Sequence, residues 1–177
     1  MKKIALALVL SAAAVPAFAS DMYIGVRGGQ AKTNIDNNTF NNSTVTSSKP
    51  TGWGVFIGHD FSRSFALEAE YLNLGEIKAG ASSAKSTGVS LAGIGSIPFG
   101  EHFSLFGKLG FAMITGKPGG AYVGNESKSK AWTYGVGGQF NLNSSVGIRL
   151  GWDKYKFNDS GLNGDASFTS VGALFKF

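Results

Sequence analysis

The chain has 177 residues, no cysteine, 16 basic and 11 acidic side chains, and a formal net charge of +5. The lack of cysteine excludes disulfides, thiolate metal sites and cysteine nucleophiles. Charged residues make up only 15% of the chain, which argues against both a disordered chain and a nucleic-acid-binding tract, so no nucleic acid is expected as a partner.

The first residues, 1–19, are predicted to form a secretory signal peptide that is cleaved on export. A short basic start precedes the apolar run Ile4–Val15, and Ala17-Phe18-Ala19 fits the small-x-small pattern of a signal peptidase site. Pro16 ends the apolar run before it reaches the about 20 residues that a membrane-spanning helix needs. The remaining residues, 20–177, are predicted to form one domain.

Beyond this segment, apolar residues recur with a period of two, which predicts β-strands rather than helices. For example, Leu67, Ala69 and Tyr71 alternate with Glu68 and Glu70. Eight such runs are present, in chain order at about 21–33, 50–62, 63–78, 84–98, 101–117, 127–142, 144–158 and 165–177.

One face of these runs is apolar, and the other consists mostly of small residues with a few charges. Small inward residues fit the narrow interior of a closed eight-stranded barrel, and the apolar face would then contact lipid. The predicted connections alternate between tight joins, at 61–64, 98–102 and 141–145, and longer polar joins, at 34–49, 79–83, 117–126 and 157–164. This alternation is typical of short periplasmic turns and longer external loops. The predicted fold is therefore all-β, an eight-stranded antiparallel up-and-down transmembrane β-barrel.

The large aromatic residues fall at the ends of the predicted strands if the chain starts in the periplasm. Tryptophan and tyrosine at the outer ends and phenylalanine at the periplasmic ends predict two aromatic girdles at the membrane interfaces. The outer girdle contains Trp53, Tyr71, Trp132, Tyr134 and Trp152, and the periplasmic girdle contains Phe65, Phe103, Phe140 and Phe175.

Three blocks of the sequence carry a resemblance to a known family: Gly52–Gly75, then Gly88–Pro98 continued by Phe103–Gly110, and Tyr134–Trp152. They are similar to the barrel domain of the OmpA/OmpX-like family, which includes the opacity and NspA-type surface proteins. The resemblance implies an integral outer-membrane protein of a Gram-negative bacterium, monomeric and without a cofactor, in contact with lipid and lipopolysaccharide. It implies a structural or surface-interaction role, with a host or matrix ligand bound through external loops. Phe177 resembles the terminal signal that the barrel-assembly machinery recognises.

The same resemblance implies a charged network inside the barrel. Glu68 and Arg149 match the acid–base pair that crosses the lumen in the family, and Arg27 and Lys108 match two further interior cations. A second pair of the family falls on Ile94 and Gln139 and is missing. Independently of the family, a basic side chain facing lipid at the midplane would cost about 2–4 kcal/mol, so these residues are expected to face inward. They either fill a largely plugged lumen or gate a narrow, porin-like ion path, with Glu68–Arg149 as the gate.

A lipid A-modifying enzyme is a further alternative, because some small outer-membrane barrels are enzymes. His102 and Ser104 have the spacing of a deacylase motif, but they lie in a predicted periplasmic turn, away from the outer leaflet. Leu105-Phe106 also departs from that motif. His59 and His102 are the two histidines of the chain, and no carboxylates accompany them at metal-ligand spacing. We therefore expect no enzyme, no catalytic residue and no metal site.

Basic residues in the predicted external segments are candidates for lipopolysaccharide contacts. Lys117, Lys128 and Lys130 accompany a single acidic residue, Glu126, in the third external segment. Their ammonium groups either pair with lipopolysaccharide phosphates or are solvated loop charges.

Overall fold

The computed structural model describes residues 21–35, 50–79, 82–120, 127–159 and 162–177. The predicted signal peptide, 1–19, lies outside these residues, as does most of the first and third predicted external segments. In the described part of the chain, no helix is long and apolar enough to cross a membrane.

The described residues form eight antiparallel strands that close into a barrel, which confirms the predicted fold. Each strand pairs with its neighbours in sequence, and β1 pairs with β8 to close the sheet. The strands are β1 (Met22–Ile35), β2 (Thr51–Ser62), β3 (Phe65–Ala79), β4 (Ser82–Phe99), β5 (Phe103–Gly120), β6 (Ser127–Asn141), β7 (Val146–Asp159) and β8 (Leu162–Lys176).

Three tight turns connect the strands at the end of the barrel where β1 begins and β8 ends. In the turn between β6 and β7, the Asn143 side-chain oxygen accepts hydrogen bonds from the backbone N–H groups of Ser145 and Val146, at 2.9 and 2.7 Å. The turn between β4 and β5 contains Gly100 with φ of 72°, a conformation that favours glycine. These turns match the predicted periplasmic joins.

Two of the predicted longer joins, 79–83 and 157–164, are shorter than expected. Strand pairing continues as far as Ala79 with Ser82 and Asp159 with Leu162, which leaves only residues 80–81 and 160–161 between the strands. The predicted bounds of these two joins were wrong because strand ends that extend beyond the apolar band need no hydrophobic alternation. Their polar residues therefore have the composition of loops.

The two faces of the sheet differ as the alternation predicts. Outward side chains are apolar and half exposed, for example Leu109 at 61% and Leu150 at 60%, whereas inward neighbours such as Lys108 are buried. All nine predicted girdle residues lie on the outward face. Trp53 and Tyr71 pack 5.8 Å apart between ring centroids at one end, and Phe99 and Phe103 pack 6.2 Å apart at the other.

The interior is more crowded than the prediction of small side chains suggests. Two apolar clusters lie inside the barrel, one nearer each end. The lower cluster, towards the tight turns, contains Tyr23, Phe56, Ala66, Ile94, Phe106 and Leu174. The upper cluster, towards the other end, contains Ala31, Leu72, Leu74, Ala112, Ile114, Ala131, Tyr155, Ala166 and Phe168.

The inward glycines provide the space for the large rings. A Cβ atom at Gly58 would collide with the ring of Tyr23, and one at Gly25 would collide with the ring of Phe56. The lumen of an eight-stranded barrel is only just wide enough for side chains, so a ring on one strand requires a glycine beside it. Inward glycines and inward aromatic rings therefore fill the lumen together.

We expect Gly110→Ala to lower the free energy of unfolding by about 1–3 kcal/mol, because its methyl group would meet the β4 backbone at Leu91 and Ala92. Gly107, on the same strand but facing outward, has open space around its Cα, so Gly107→Ala is the control and should change stability by less than about 0.5 kcal/mol. Urea unfolding in lipid vesicles, followed by tryptophan fluorescence, measures both. Equal losses for the two variants would contradict the assigned faces.

Candidate functional site: the charged lumen

Six charged side chains meet between the two apolar clusters, in the middle of the barrel. All six lie on inward positions, and three are basic and three acidic, so the cluster has no formal net charge. They are Arg27, Lys108, Arg149, Glu68, Glu70 and Asp153.

The lower part of this ionic cluster is centred on Glu68. Its Oε2 accepts hydrogen bonds from Arg149 Nη1 at 2.5 Å and from the Tyr23 hydroxyl at 3.1 Å. Its Oε1 accepts a hydrogen bond from Lys108 Nζ at 3.1 Å. The structure thus brings together Glu68 and Arg149, and adds Lys108 as a second cation on the same carboxylate.

The upper part is centred on Arg27. Its guanidinium donates to Glu70 through Nε at 2.5 Å and Nη2 at 2.8 Å, a bidentate pair, and it also donates to Asp153. The hydroxyls of Tyr155 and Ser170 complete the set at 3.2 and 3.3 Å. Bidentate pairing holds both planar groups in one orientation, which makes this part of the cluster rigid.

Lys108 joins the two parts. Its Nζ lies 3.1 Å from Glu68 Oε1, 3.0 Å from Glu70 Oε2 and 4.0 Å from an oxygen of Asp153. The side chain is 3% exposed. A single buried ammonium group therefore links all three carboxylates, and no part of the network can move without affecting the others.

The sequence analysis did not identify Glu70 and Asp153 as members of this cluster. Both were detectable, because Glu70 is two residues from Glu68 and Asp153 is four residues from Arg149, and even spacing along a strand places residues on one face. The interior charges implied by the family resemblance were Arg27, Glu68, Lys108 and Arg149, and neither of these two acidic residues is among them.

Gln139, at one position where the family resemblance implied a charged pair, is a neutral partner of Arg149. Its Oε1 accepts hydrogen bonds from Arg149 Nε at 3.2 Å and Nη2 at 3.0 Å, while its Nε2 donates to Asn141 at 2.8 Å. Arg149 thus has one carboxylate partner and one amide partner. The other position of the missing pair, Ile94, belongs to the lower apolar cluster.

Arg149 is also enclosed by aromatic rings. Its guanidinium carbon lies 5.3 Å from the ring centroid of Tyr23 and 5.0 Å from those of Phe56 and Phe106. Cation–π contacts of this length stabilise a guanidinium, and more so where water is excluded. The arginine therefore has favourable contacts on its edge and on its faces.

The empty space in the lumen is divided unequally. A vestibule of about 890 Å³ opens at the end with the tight turns and reaches Tyr23, Gln139 and Arg149. Within the ionic cluster the free volume is about 10 Å³, which is no more than one water molecule. The upper apolar cluster lies beyond it. The described residues thus form a dead-ended vestibule below a filled lumen.

The remaining predicted residues are dispersed over the barrel. The structure corrects the expected loop position of three lysines, because Lys117 lies in β5 and Lys128 and Lys130 lie in β6. Lys130 is exposed on the outward face of β6, whereas the side chains of Lys117 and Lys128 lie outside the described part of the structure. The backbone N–H of Phe177 donates to the Met22 carbonyl at 2.9 Å. His102 lies in the turn between β4 and β5, with its ring 6.1 Å from that of Phe140.

Within the described residues, no three histidine, cysteine, aspartate or glutamate side chains lie together in a way that could hold a metal ion. The two histidines pack instead against aromatic rings, His59 at 4.8 Å from Phe61.

A closed barrel with an apolar outer face and a charged, filled interior defines an outer-membrane β-barrel protein. A family model described as an outer membrane protein beta-barrel domain matches residues 5–177. The chain belongs to this family and is an integral protein of the Gram-negative outer membrane. This confirms the fold, the location and the family resemblance derived from the sequence.

Solved structures of surface proteins share the fold. Neisserial surface protein A has a TM-score of 0.74 and 12% identity, over 88% of this chain and 97% of that one. Ail, the attachment invasion locus protein of Yersinia pestis, has a TM-score of 0.63 and 16% identity, over 90% of this chain and 100% of that one. Ail is also known in complex with a heparin analogue, sucrose octasulfate. No curated protein sequence matches the chain.

We expect Glu70→Gln to lower the free energy of unfolding by about 3–5 kcal/mol, because it leaves buried cations without a balancing charge. Asp60→Asn is the control, since the Lys176–Asp60 pair, at 2.8 Å, has side chains that are 34% and 29% exposed and should contribute less than about 1 kcal/mol. Combining Glu70→Gln with Lys108→Gln restores neutrality and should recover part of the loss. Urea unfolding in vesicles tests all three, and a loss at Glu70 no larger than that at Asp60 would contradict the argument.

Proposed function

We propose that the protein acts as a closed outer-membrane barrel with a structural or surface-interaction role, and not as a channel. The observation that carries the proposal is the filled lumen: a neutral ionic cluster lies between two apolar clusters, with free space of about 10 Å³. Ions that enter the vestibule would still have to cross the ionic cluster and the upper apolar cluster, and the latter offers no groups to replace their hydration shell.

The ionic cluster also resists opening. Rotation of Arg149 alone would expose Glu68 to the vestibule, but Lys108 would still bind Glu68 and Glu70 from above. Removing one partner of a buried ion pair leaves an uncompensated charge, so an open state that separates these groups is costly.

A gated ion path is the second candidate, and the vestibule is the observation that favours it. The vestibule reaches the side of Arg149 that faces the tight turns, so a displacement of the Glu68–Arg149 pair would extend this space towards the middle of the barrel. The two candidates differ in whether the upper apolar cluster seals the lumen without that pair.

We expect the wild-type protein to give no conductance steps in a planar bilayer, and Glu68→Ala to be silent as well, because Leu72, Tyr155 and Phe168 still fill the upper lumen. A porin added to the same bilayer shows that steps are detectable, and heat-modifiable gel mobility shows that each variant is folded. Wild-type steps would contradict a closed lumen. Steps from Glu68→Ala beside a silent wild type would assign a gate to the Glu68–Arg149 pair.

The export and assembly signals of the chain fit the same role. We propose that residues 1–19 are removed on export, that Phe177 is read by the barrel-assembly machinery, and that the folded barrel is a monomer without catalytic activity. The external segments then carry whatever specificity the protein has, since loops at one end of a rigid barrel are free to vary.

Lys117 and Lys128, in the parts of β5 and β6 that adjoin the third external segment, are proposed to bind an anionic glycan, either lipopolysaccharide or a sulfated host polysaccharide. The heparin analogue bound by Ail supports a ligand of this class for a barrel of this fold. Ammonium groups pair with phosphate and sulfate through charge-assisted hydrogen bonds.

We expect replacement of Lys117 and Lys128 by Gln to reduce binding of labelled heparin to intact cells several-fold, because it removes two cations from the external side. Arg63→Gln combined with Lys176→Gln removes the same charge from the opposite end of the barrel and is the matched control. Unchanged binding in the first variant, or an equal loss in the control, would contradict a glycan site in this segment.

A further inference from the structure

The vestibule at the end with the tight turns has a polar wall on β5 and β6. Ser104, Gln139 and Arg149 are in direct register across β5, β6 and β7, and all three line the vestibule. Asn141 follows Gln139 by two residues on β6 and therefore lies on the same inward face. The set Ser104, Gln139 and Asn141 is called the polar shelf below.

Arg149 fixes the orientation of both amides of the polar shelf. A guanidinium group only donates hydrogen bonds, so Gln139 turns its oxygen to Arg149, at 3.2 Å from Nε and 3.0 Å from Nη2. The Gln139 nitrogen then donates to Asn141 Oδ1 at 2.8 Å. Both amide oxygens are thus engaged, and the N–H groups that remain face the vestibule.

The polar shelf therefore offers hydrogen-bond donors and few acceptors. Asn141 Nδ2 carries two N–H groups without a partner among the described residues, and Gln139 Nε2 carries a second N–H beside the one given to Asn141. The Ser104 hydroxyl likewise has no partner in the described part of the chain. A carboxylate, which accepts several hydrogen bonds and donates none, is the group that fits such a set.

A carboxylate on the polar shelf would leave the ionic cluster intact. Arg149 holds Glu68 through Nη1, whereas it meets the shelf through Nε and Nη2. The shelf donors are neutral, so a ligand on them displaces no carboxylate of the cluster. The guanidinium nevertheless places a positive charge at the inner end of the vestibule, which favours an anionic group there.

An acidic side chain lies across the vestibule from the polar shelf. β2 and β6 are four strands apart in a closed barrel of eight, so they face each other, and Asp60 on β2 lines the same cavity. Asp60 Oδ2 pairs with Lys176 Nζ at 2.8 Å, and both side chains are partly exposed. Asp60 Oδ1 has no partner among the described residues, so it can accept a hydrogen bond from an ammonium group.

The vestibule as a whole has no net formal charge. Its described lining contains three basic and three acidic residues, namely Arg63, Arg149, Lys176, Asp21, Asp60 and Glu101. A neutral cavity favours a ligand whose own charges balance. The volume of about 890 Å³ lies in the range of about 300–1,000 Å³ that is usual for small-molecule sites.

We propose that the vestibule binds a short zwitterionic peptide, with its carboxylate on the polar shelf and its ammonium group at Asp60. The two charged ends contact opposite walls, so a second or third residue supplies the reach that one amino acid lacks. This binding site goes beyond the closed-barrel role, and it does not depend on whether the lumen conducts.

The test is a titration of the folded protein in lipid nanodiscs, followed by NMR of the Gln139 side-chain amide. The probes are trialanine, trialanine amide, which lacks the carboxylate, and N-acetyl-trialanine, which lacks the ammonium group. The shelf variant is Asn141→Ala with Ser104→Ala. The matched control, Gln30→Ala with Thr169→Ala, also removes one amide and one hydroxyl, but from the outward face of β1 and β8. Heat-modifiable gel mobility shows that each preparation is folded.

We expect trialanine to shift the amide resonance saturably, and both blocked peptides to bind more weakly. The shelf variant should bind trialanine about tenfold more weakly, because two hydrogen bonds to a carboxylate are lost, whereas the control should change by less than about twofold. Asp60→Asn should weaken the binding of trialanine several-fold and leave that of N-acetyl-trialanine unchanged.

Asn141→Asp is a second shelf variant, which keeps the size of the side chain and replaces its N–H donors by an acceptor. It should also lose trialanine, so the proposal can be tested even if the double variant folds poorly. Unchanged binding in Asn141→Asp would overturn the assigned donors, and equal binding of trialanine and trialanine amide would overturn the carboxylate site. Equal saturable binding of maltotriose would show a cavity for any polar solute and would overturn a peptide as the ligand.

Discussion

Hydrocarbon supplies no hydrogen-bond partner, and the structure of this protein follows from that constraint. Every backbone group within the membrane must be paired inside the chain, which a sheet achieves only when its last strand returns to its first. Pairing of β1 with β8 meets this requirement. Successive residues of a strand point to opposite faces, and closure of the sheet makes one face meet lipid and the other the lumen, which sets the side-chain pattern.

The lumen is filled by two kinds of complementarity. Rings pack against glycines, as Tyr23 does against Gly58 and Phe56 against Gly25. Charges pack against opposite charges, with Lys108 bridging the carboxylates of Glu68 and Glu70. A buried ionic cluster is not in itself a source of stability, because desolvation offsets much of the attraction. Its value here is that the polar groups specify one arrangement and exclude water from the middle of the barrel.

The eight strands and their two faces could be predicted from the sequence, because side chains alternate with a period of two between the lipid and the lumen. The inward position of Arg27, Glu68, Lys108 and Arg149 follows from the same alternation. Three features could not be obtained this way. Strand ends beyond the apolar band have no alternation, so the joins at 79–83 and 157–164 were predicted too long. The large inward rings could not be predicted, because single positions do not show which glycine lies beside a ring on the next strand. The partners of each charge depend on strand register, which places Asp153 near Arg27 although 126 residues separate them.

The two charged regions of the barrel differ in a way that locates its interactions with other molecules. In the lumen, three cations face three carboxylates within the described residues, so the network is complete without any external group. On the outward face of β6, β7, β8 and β1, the described lysines share one described acidic neighbour, Asp165. These lysines are Lys32, Lys130, Lys154 and Lys156. A balanced cluster has nothing to gain from a ligand, because a new anion would have to displace a carboxylate already in place. An unbalanced patch gains from any anion that it can hold, and more so beside a low-dielectric membrane than in water. The lumen thus reaches neutrality from the chain alone, whereas the outward face keeps an excess of positive charge.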